Sequence, residues 1–176
     1  MVFGMTLATY TLVHVVISLA GIGSGLVVLS GLLAGKRVAG WTGLFLATTV
    51  ATSVTGFGFP VEHFLPSHGV GILSLAALAI AIVALYGKHL DGGWRRTYVI
   101  SAVLALYLNC FVAVVQSFEK IAPLRGLAPT QSEPPFAIAQ LAVLALFVGL
   151  GILAAKRFRD QTGLKASAAR AARAGL

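Results

Sequence analysis

The side chains in this chain that could do chemistry are few, and they gather near a handful of positions. His14, His63 and His68 are three of the four histidines, and Glu62, Glu119 and Glu133 are three of the five acids. Glu62, His63 and His68 lie in the stretch Phe59-Pro60-Val61-Glu62-His63-Phe64-Leu65-Pro66-Ser67-His68-Gly69, between two long apolar segments. Imidazole and carboxylate are ligands for zinc, copper and iron. Glu62, His63 and His68 would thus serve as a mononuclear metal set, although His63-x4-His68 broken by Pro66 is not a specific metal spacing. His14 and His68 would serve as the two axial ligands of a b-type haem if their helices were neighbours. A third chemistry is movement of a proton or small solute, since histidine titrates near neutral pH.

Membrane b-type cytochromes use helix-borne histidines in the same general way. No motif carries that likeness further, and only one such pair is present. No CxxC, phosphate-loop or dinucleotide-binding glycine motif occurs, and no nucleophile–base pair is placed for hydrolysis, so the residues do not point to an enzyme. Cys110 is the only cysteine, which excludes an internal disulfide.

These residues need elements to hold them, and the composition indicates what those are. Hydrophobic residues make up 58% of the 176 and charged residues 10%, against about 25% charged in a soluble domain. Lipid must be the solvent for much of the surface. The pattern predicts an all-α polytopic membrane protein. Five apolar segments (about 6–34, 40–59, 68–87, 97–118 and 135–155) form one domain over 1–155, and a basic tail covers 156–176. A spanning helix needs about 20 apolar residues. Met1–Met5 has no Lys or Arg, and the first run is longer than a signal-peptide core, so that segment is expected to be a retained helix.

Basic residues give the orientation. If five helices alternate, Lys36, Arg37, Lys88, Arg95, Arg96, Lys156, Arg157, Arg159, Lys165, Arg170 and Arg173 fall on one side, and only Lys120 and Arg125 on the other. Retention of Lys and Arg in the cytoplasm puts the N-terminus outside and the C-terminus inside, in a bacterial-type cytoplasmic membrane. Trp41 and Trp94 read as inner-interface anchors. The tail is expected to lie on anionic lipid. It lacks the aromatic residues that stack on bases, so nucleic acid is not an expected partner.

Counting about 20 residues from each inner anchor brings His14, Pro60, His68 and Gln116 to one outer level, with Gln140 one turn deeper. Glu62, His63, Glu119, Gln131 and Glu133 lie at the same level. The expected function is therefore a small membrane subunit or binding protein with a polar site open to the outer face. A haem or metal electron carrier and a small-solute or proton transporter are the alternatives. Polar residues at helix ends also touch water and headgroups at little cost, so the same layer has a plain interfacial reading.

Two features lie deeper. The second segment carries Thr42, Thr48, Thr49, Thr52, Ser53 and Thr55. Asn109 sits at mid-depth, where an unpaired amide is costly, and is expected to have a partner. Gly21 and Gly25 form a GxxxG pair, expected to let two helices of one bundle approach rather than to join two copies.

Overall fold

The computed structural model describes residues 4–60 and 66–174, the last helix beyond Phe158 by its backbone alone. Every regular element among them is a helix: α1 (Leu7–Leu33), α2 (Ala39–Gly56), α3 (Pro66–Ile82) extended by a π-helical turn (Val83–Gly87), α4 (Trp94–Lys120), α5 (Ala122–Leu127) and α6 (Pro134–Ala174). Lipid offers no partner for free backbone groups, and a helix satisfies all of its own. Four of the helices are long and apolar enough to cross a membrane: Leu7–Leu33, Pro66–Gly87, Trp94–Lys120 and Pro134–Phe158. The chain is thus a multi-pass helical membrane protein. α2 is not among the four, because its 18 residues include six hydroxylated side chains and three glycines.

The boundaries shift from the sequence expectation for local reasons. α2 stops at Gly56 rather than near 59. The amides of Phe57 and Gly58 fold back on Val54 and Thr55 at 3.1 and 3.0 Å, and Pro60 disfavours helix in the residue before it. The connector between α4 and α6 contains the short helix α5, with Pro123 in its first turn. α6 does not end near 155 but continues as one helix to Ala174. α1 ends where Gly35, at φ 68°, takes the left-handed conformation. There the Gly35 amide donates to Leu32 O at 3.0 Å and the Lys36 amide to Gly31 O at 2.8 Å, a Schellman cap. Gly31 and Gly35 therefore close a helix.

The helices alternate in direction. The start of α1 meets the end of α2 through Tyr10 and Thr55. Ser53 of α2 meets Ser74 of α3, Gly21 and Gly25 of α1 face Asn109 and Leu106 of α4, and Gly151 of α6 faces Val103 of α4. These pairings bring Lys36, Arg37, Lys88, Arg95, Arg96, Lys156 and Arg157 to one end of the bundle. Trp41 and Trp94 stand exposed at that end, and Lys88 Nζ lies 5.6 Å from the Trp94 ring centroid. α4 is the hub, packing on α1, α2, α3, α5 and α6. Half of its spanning stretch is buried, against 6% of that of α6, so α6 is the helix most exposed to lipid.

Close approach in the core depends on Gly25. A methyl there would lie 2.5 Å from Leu106 Cδ1 and 2.9 Å from Phe45 Cδ2, both on neighbouring helices, so the GxxxG pair serves packing within one chain. Gly23, two residues earlier, has nothing within 4 Å of an added methyl. Gly25→Val is expected to destabilise the bundle by about 1–3 kcal/mol through overpacking. Gly23→Ala should be neutral or stabilising by up to about 1 kcal/mol. Denaturant unfolding of the two variants in mild detergent checks the contrast.

Candidate functional site at the His14 end of the bundle

The polar residues that the sequence groups by depth fall into two clusters when their hydrogen bonds are followed. One surrounds the C-terminal end of α2. His14 Nδ1 is 2.8 Å from Thr55 Oγ1. Thr55 Oγ1 is also 2.7 Å from Ala51 O, the ordinary backward bond of a helical threonine. The single hydroxyl proton goes to that carbonyl, so Thr55 Oγ1 accepts from His14 Nδ1–H. The network assigns neutral His14 its Nδ1–H tautomer and leaves Nε2 as an acceptor.

Two aromatic rings frame His14. Phe59 meets it edge-on, centroids 5.2 Å apart, and meets Tyr10 at 5.0 Å. Tyr10 is 3% exposed, and its hydroxyl donates to Thr55 O at 2.7 Å. Tyr10 and His14 are four residues apart and so share one face of α1. Both grip Thr55, one by its carbonyl and one by its hydroxyl. The sequence reading passed over Tyr10; the Tyr-x3-His spacing on one helix was the available signal.

His68 lies on the other side of the same helix end. Its ring stacks on Phe57, centroids 5.4 Å apart and planes 14° from parallel. Phe57 also packs against Gly71 of α3, where a methyl would lie 3.1 Å from Phe57 Cζ. α2 packs against both α1 and α3. Each histidine engages a different aromatic residue of the α2 end. Glu62 and His63 lie outside the described residues. Among the described residues, no three His, Cys, Asp or Glu side chains are grouped to hold a metal.

The second cluster belongs to α4, α6 and their connector. Gln116 Nε2 donates to Glu119 Oε2 at 3.1 Å, and Lys120 Nζ pairs with Glu119 Oε1 at 3.2 Å. This pair is solvent-exposed and contributes little, about 0–1 kcal/mol. Gln131, at φ 58°, donates through Nε2 to Val115 O at 3.3 Å and ties the connector to α4. Gln140 Nε2 donates to Phe111 O at 3.3 Å, while its Oε1 is buried with no partner among the described residues. These contacts make the second cluster a set of local ties around the connector. The first cluster, by contrast, engages His14 through Nδ1, with no hydrogen bond to Nε2 among the described residues.

Glu133 begins α6. Its carbonyl accepts from the Phe136 and Ala137 amides, and the two prolines that follow suit the first helical positions, where no amide partner is needed. Its carboxylate accepts from the Thr130 amide at 3.2 Å, the Thr130 hydroxyl at 2.9 Å and the Ser132 amide at 3.0 Å. Slight desolvation pulls its pKa upward. The hydrogen bond from the Thr130 hydroxyl and those from the backbone outweigh that and hold the carboxyl below its ordinary value of 4.5. A depressed folded pKa means that the stabilisation is fully present above the ordinary value and is lost as pH falls through the lower folded one. Hydrogen exchange at the Thr130 and Ser132 amides should therefore be slow, relative to Glu133→Gln, at neutral pH. The two proteins should converge as pH falls through the lowered folded pKa of Glu133.

Neither a scan against family models nor searches of curated proteins and of solved structures finds a match for this chain.

Proposed function

We propose that this chain is a small integral membrane protein of five crossings that binds a small ligand at its outer face, with His14 as the principal contact. Chain continuity supports the fifth crossing. α1 and α3 run in the same direction, so the segment between them must return through the bilayer, and α2 is that segment. Its 18 residues span about 27 Å at 1.5 Å per residue, close to the roughly 30 Å of hydrocarbon. Half of its six hydroxyls return to their own helix, Thr42 to Val38 O, Thr48 to Leu44 O and Thr55 to Ala51 O, and Ser53 bonds Ser74 of α3, which lowers the cost of that polarity at depth. The gathering of Lys36, Arg37, Lys88, Arg95, Arg96, Lys156 and Arg157 at one end supports that end as cytoplasmic. The basic continuation of α6 would then lie near anionic headgroups in a bacterial-type cytoplasmic membrane.

One observation carries the ligand reading: His14 is held by Thr55 and braced by Phe59 so that Nε2 keeps an acceptor lone pair. A ring fixed in this way is prepared for a guest that brings a hydrogen-bond donor, at little ordering cost. His68 on Phe57, with Glu62 and His63 between the two histidines in sequence, would complete the outer polar face. The lipid-exposed flank of α6 is the surface best suited to a protein partner or a second copy.

Topology is tested by single cysteines in a Cys110→Ser background. Thr130→Cys should react with a membrane-impermeant maleimide in intact cells, and Asp91→Cys only after permeabilisation; the reverse pattern overturns the orientation. The ligand reading is tested on protein purified in mild detergent without chelator, by native mass spectrometry and elemental analysis. A mass adduct in the native protein that His14→Ala loses is the expected result. About one iron per chain, with a visible band lost in His14→Ala or His68→Ala, would replace this reading with a haem protein. Unchanged ligand content, stability and phenotype in both variants would exclude a site at the histidines.

A further inference from the structure

An apolar groove runs between α4 and α6, away from the His14 end of the bundle. Ile100, Val103 and Tyr107 of α4 and Phe147, Val148 and Ile152 of α6 line it, and its volume is about 230 Å³. Tyr107 is the only lining residue that carries a polar side-chain atom. Gly151 explains why the groove exists. A methyl there would lie 3.3 Å from Val103 Cγ1, so the two helices touch along that line, and beside it glycine and valine leave open what longer side chains would fill. One turn past Tyr107, Gln140 Nε2 bonds Phe111 O at 3.3 Å and ties the helices together. The groove therefore runs from the middle of α4 toward the basic end of the bundle.

The groove opens to lipid. Ile100, Val148 and Ile152 on its rim are 50%, 52% and 54% exposed, and both walls belong to membrane-spanning stretches. An apolar hollow takes up no water, and an empty one forfeits the dispersion contacts of its walls. An acyl chain restores those contacts. Charge then selects the lipid. Arg96 precedes Ile100 by one turn of α4 and Lys156 follows Ile152 by one turn of α6, so two cations flank the groove where it reaches the basic end. Both are exposed, and neither pairs with a carboxylate among the described residues.

A headgroup of net negative charge complements this pair. A zwitterionic headgroup would bring its own cation against Arg96 and Lys156. A second copy of the chain, lying the same way up in the membrane, would bring its own basic end to the same place, and like charges placed together oppose association. We propose that the α4–α6 groove binds one anionic phospholipid, with an acyl chain against Val103, Tyr107 and Gly151 and the phosphate between Arg96 and Lys156. Basic pockets between membrane helices hold anionic headgroups, and each Lys or Arg near the surface strengthens that attraction about five-fold. The site is separate from the basic continuation of α6 and does not depend on a ligand at His14.

The test titrates the full chain in mild detergent with dioleoylphosphatidylglycerol or dioleoylphosphatidylcholine, and native mass spectrometry resolves each bound lipid. The first phosphatidylglycerol is expected to bind about ten-fold tighter than the first phosphatidylcholine, and Arg96→Gln and Lys156→Gln should each weaken it about five-fold. Arg157→Gln removes the same charge at nearly the same depth, about 100° further round α6, and should leave the affinity unchanged. Val148→Phe places a ring in the groove and should displace the lipid with no change of charge. If Val148→Phe fails to fold, the three charge variants decide. Equal affinity for the two lipids, or a loss in Arg157→Gln equal to that in Arg96→Gln and Lys156→Gln, overturns the proposal. A dimer of the native chain that Val148→Phe dissociates would assign the groove to a second copy and overturn it as well.

Discussion

The bundle depends on the approach of α1 to α2 and α4 along Gly21 and Gly25. Lipid tails are as apolar as leucine, so no hydrophobic force drives these helices together within the membrane, and packing and hydrogen bonds must do it. Packing requires contact, and contact requires that α1 present no side chain where Leu106 and Phe45 arrive. With that seam closed, Val28, Leu29 and Leu32 reach the buried cluster that Tyr98, Val99 and Leu106 build on α4. The same seam brings the polar atoms of Thr49 and Asn109 against Gly21. One set of glycines therefore sets both a close apolar contact, at Gly25, and a polar one, at Gly21.

α2 is the helix on which both polar regions are built. Its threonines make it too polar to register as a span on composition, yet the surrounding helices bury much of that polarity. Ser53 and Ser74 bond each other at 3.1 Å between α2 and α3. At its C-terminal end, Thr55 anchors His14 and Tyr10 through separate atoms. A single residue thereby couples the orientation of the histidine to the seating of α1 on α2. The aromatic residues beyond the helix end, Phe57 and Phe59, give each histidine ring its own neighbour.

The polar residues at the His14 end illustrate the difference between depth and proximity. His14, His68, Gln116, Glu119, Glu133 and Gln140 were legible as residues of one end, because a helix of known rise converts sequence distance into depth. Which of them meet depends on the angular position of each helix around the bundle, and that information is not periodic in the sequence. Glu119 joins its own helix neighbours Gln116 and Lys120, Glu133 caps the start of α6, and Gln140 reaches the Phe111 carbonyl.

Composition and pattern alone determined that this chain is helical and lives in lipid, roughly where its apolar segments lie and which end is basic. These follow from transfer energies and from the fixed rise of a helix, properties that each segment carries by itself. Tertiary structure decided the rest: that α2 stands beside both α1 and α3, that His14 answers to Thr55 and Tyr10, and that Asn109 faces a glycine on another helix. Those outcomes depend on which faces of separate helices meet. Side-chain volumes at the contacts set that choice, so no segment read in isolation contains it.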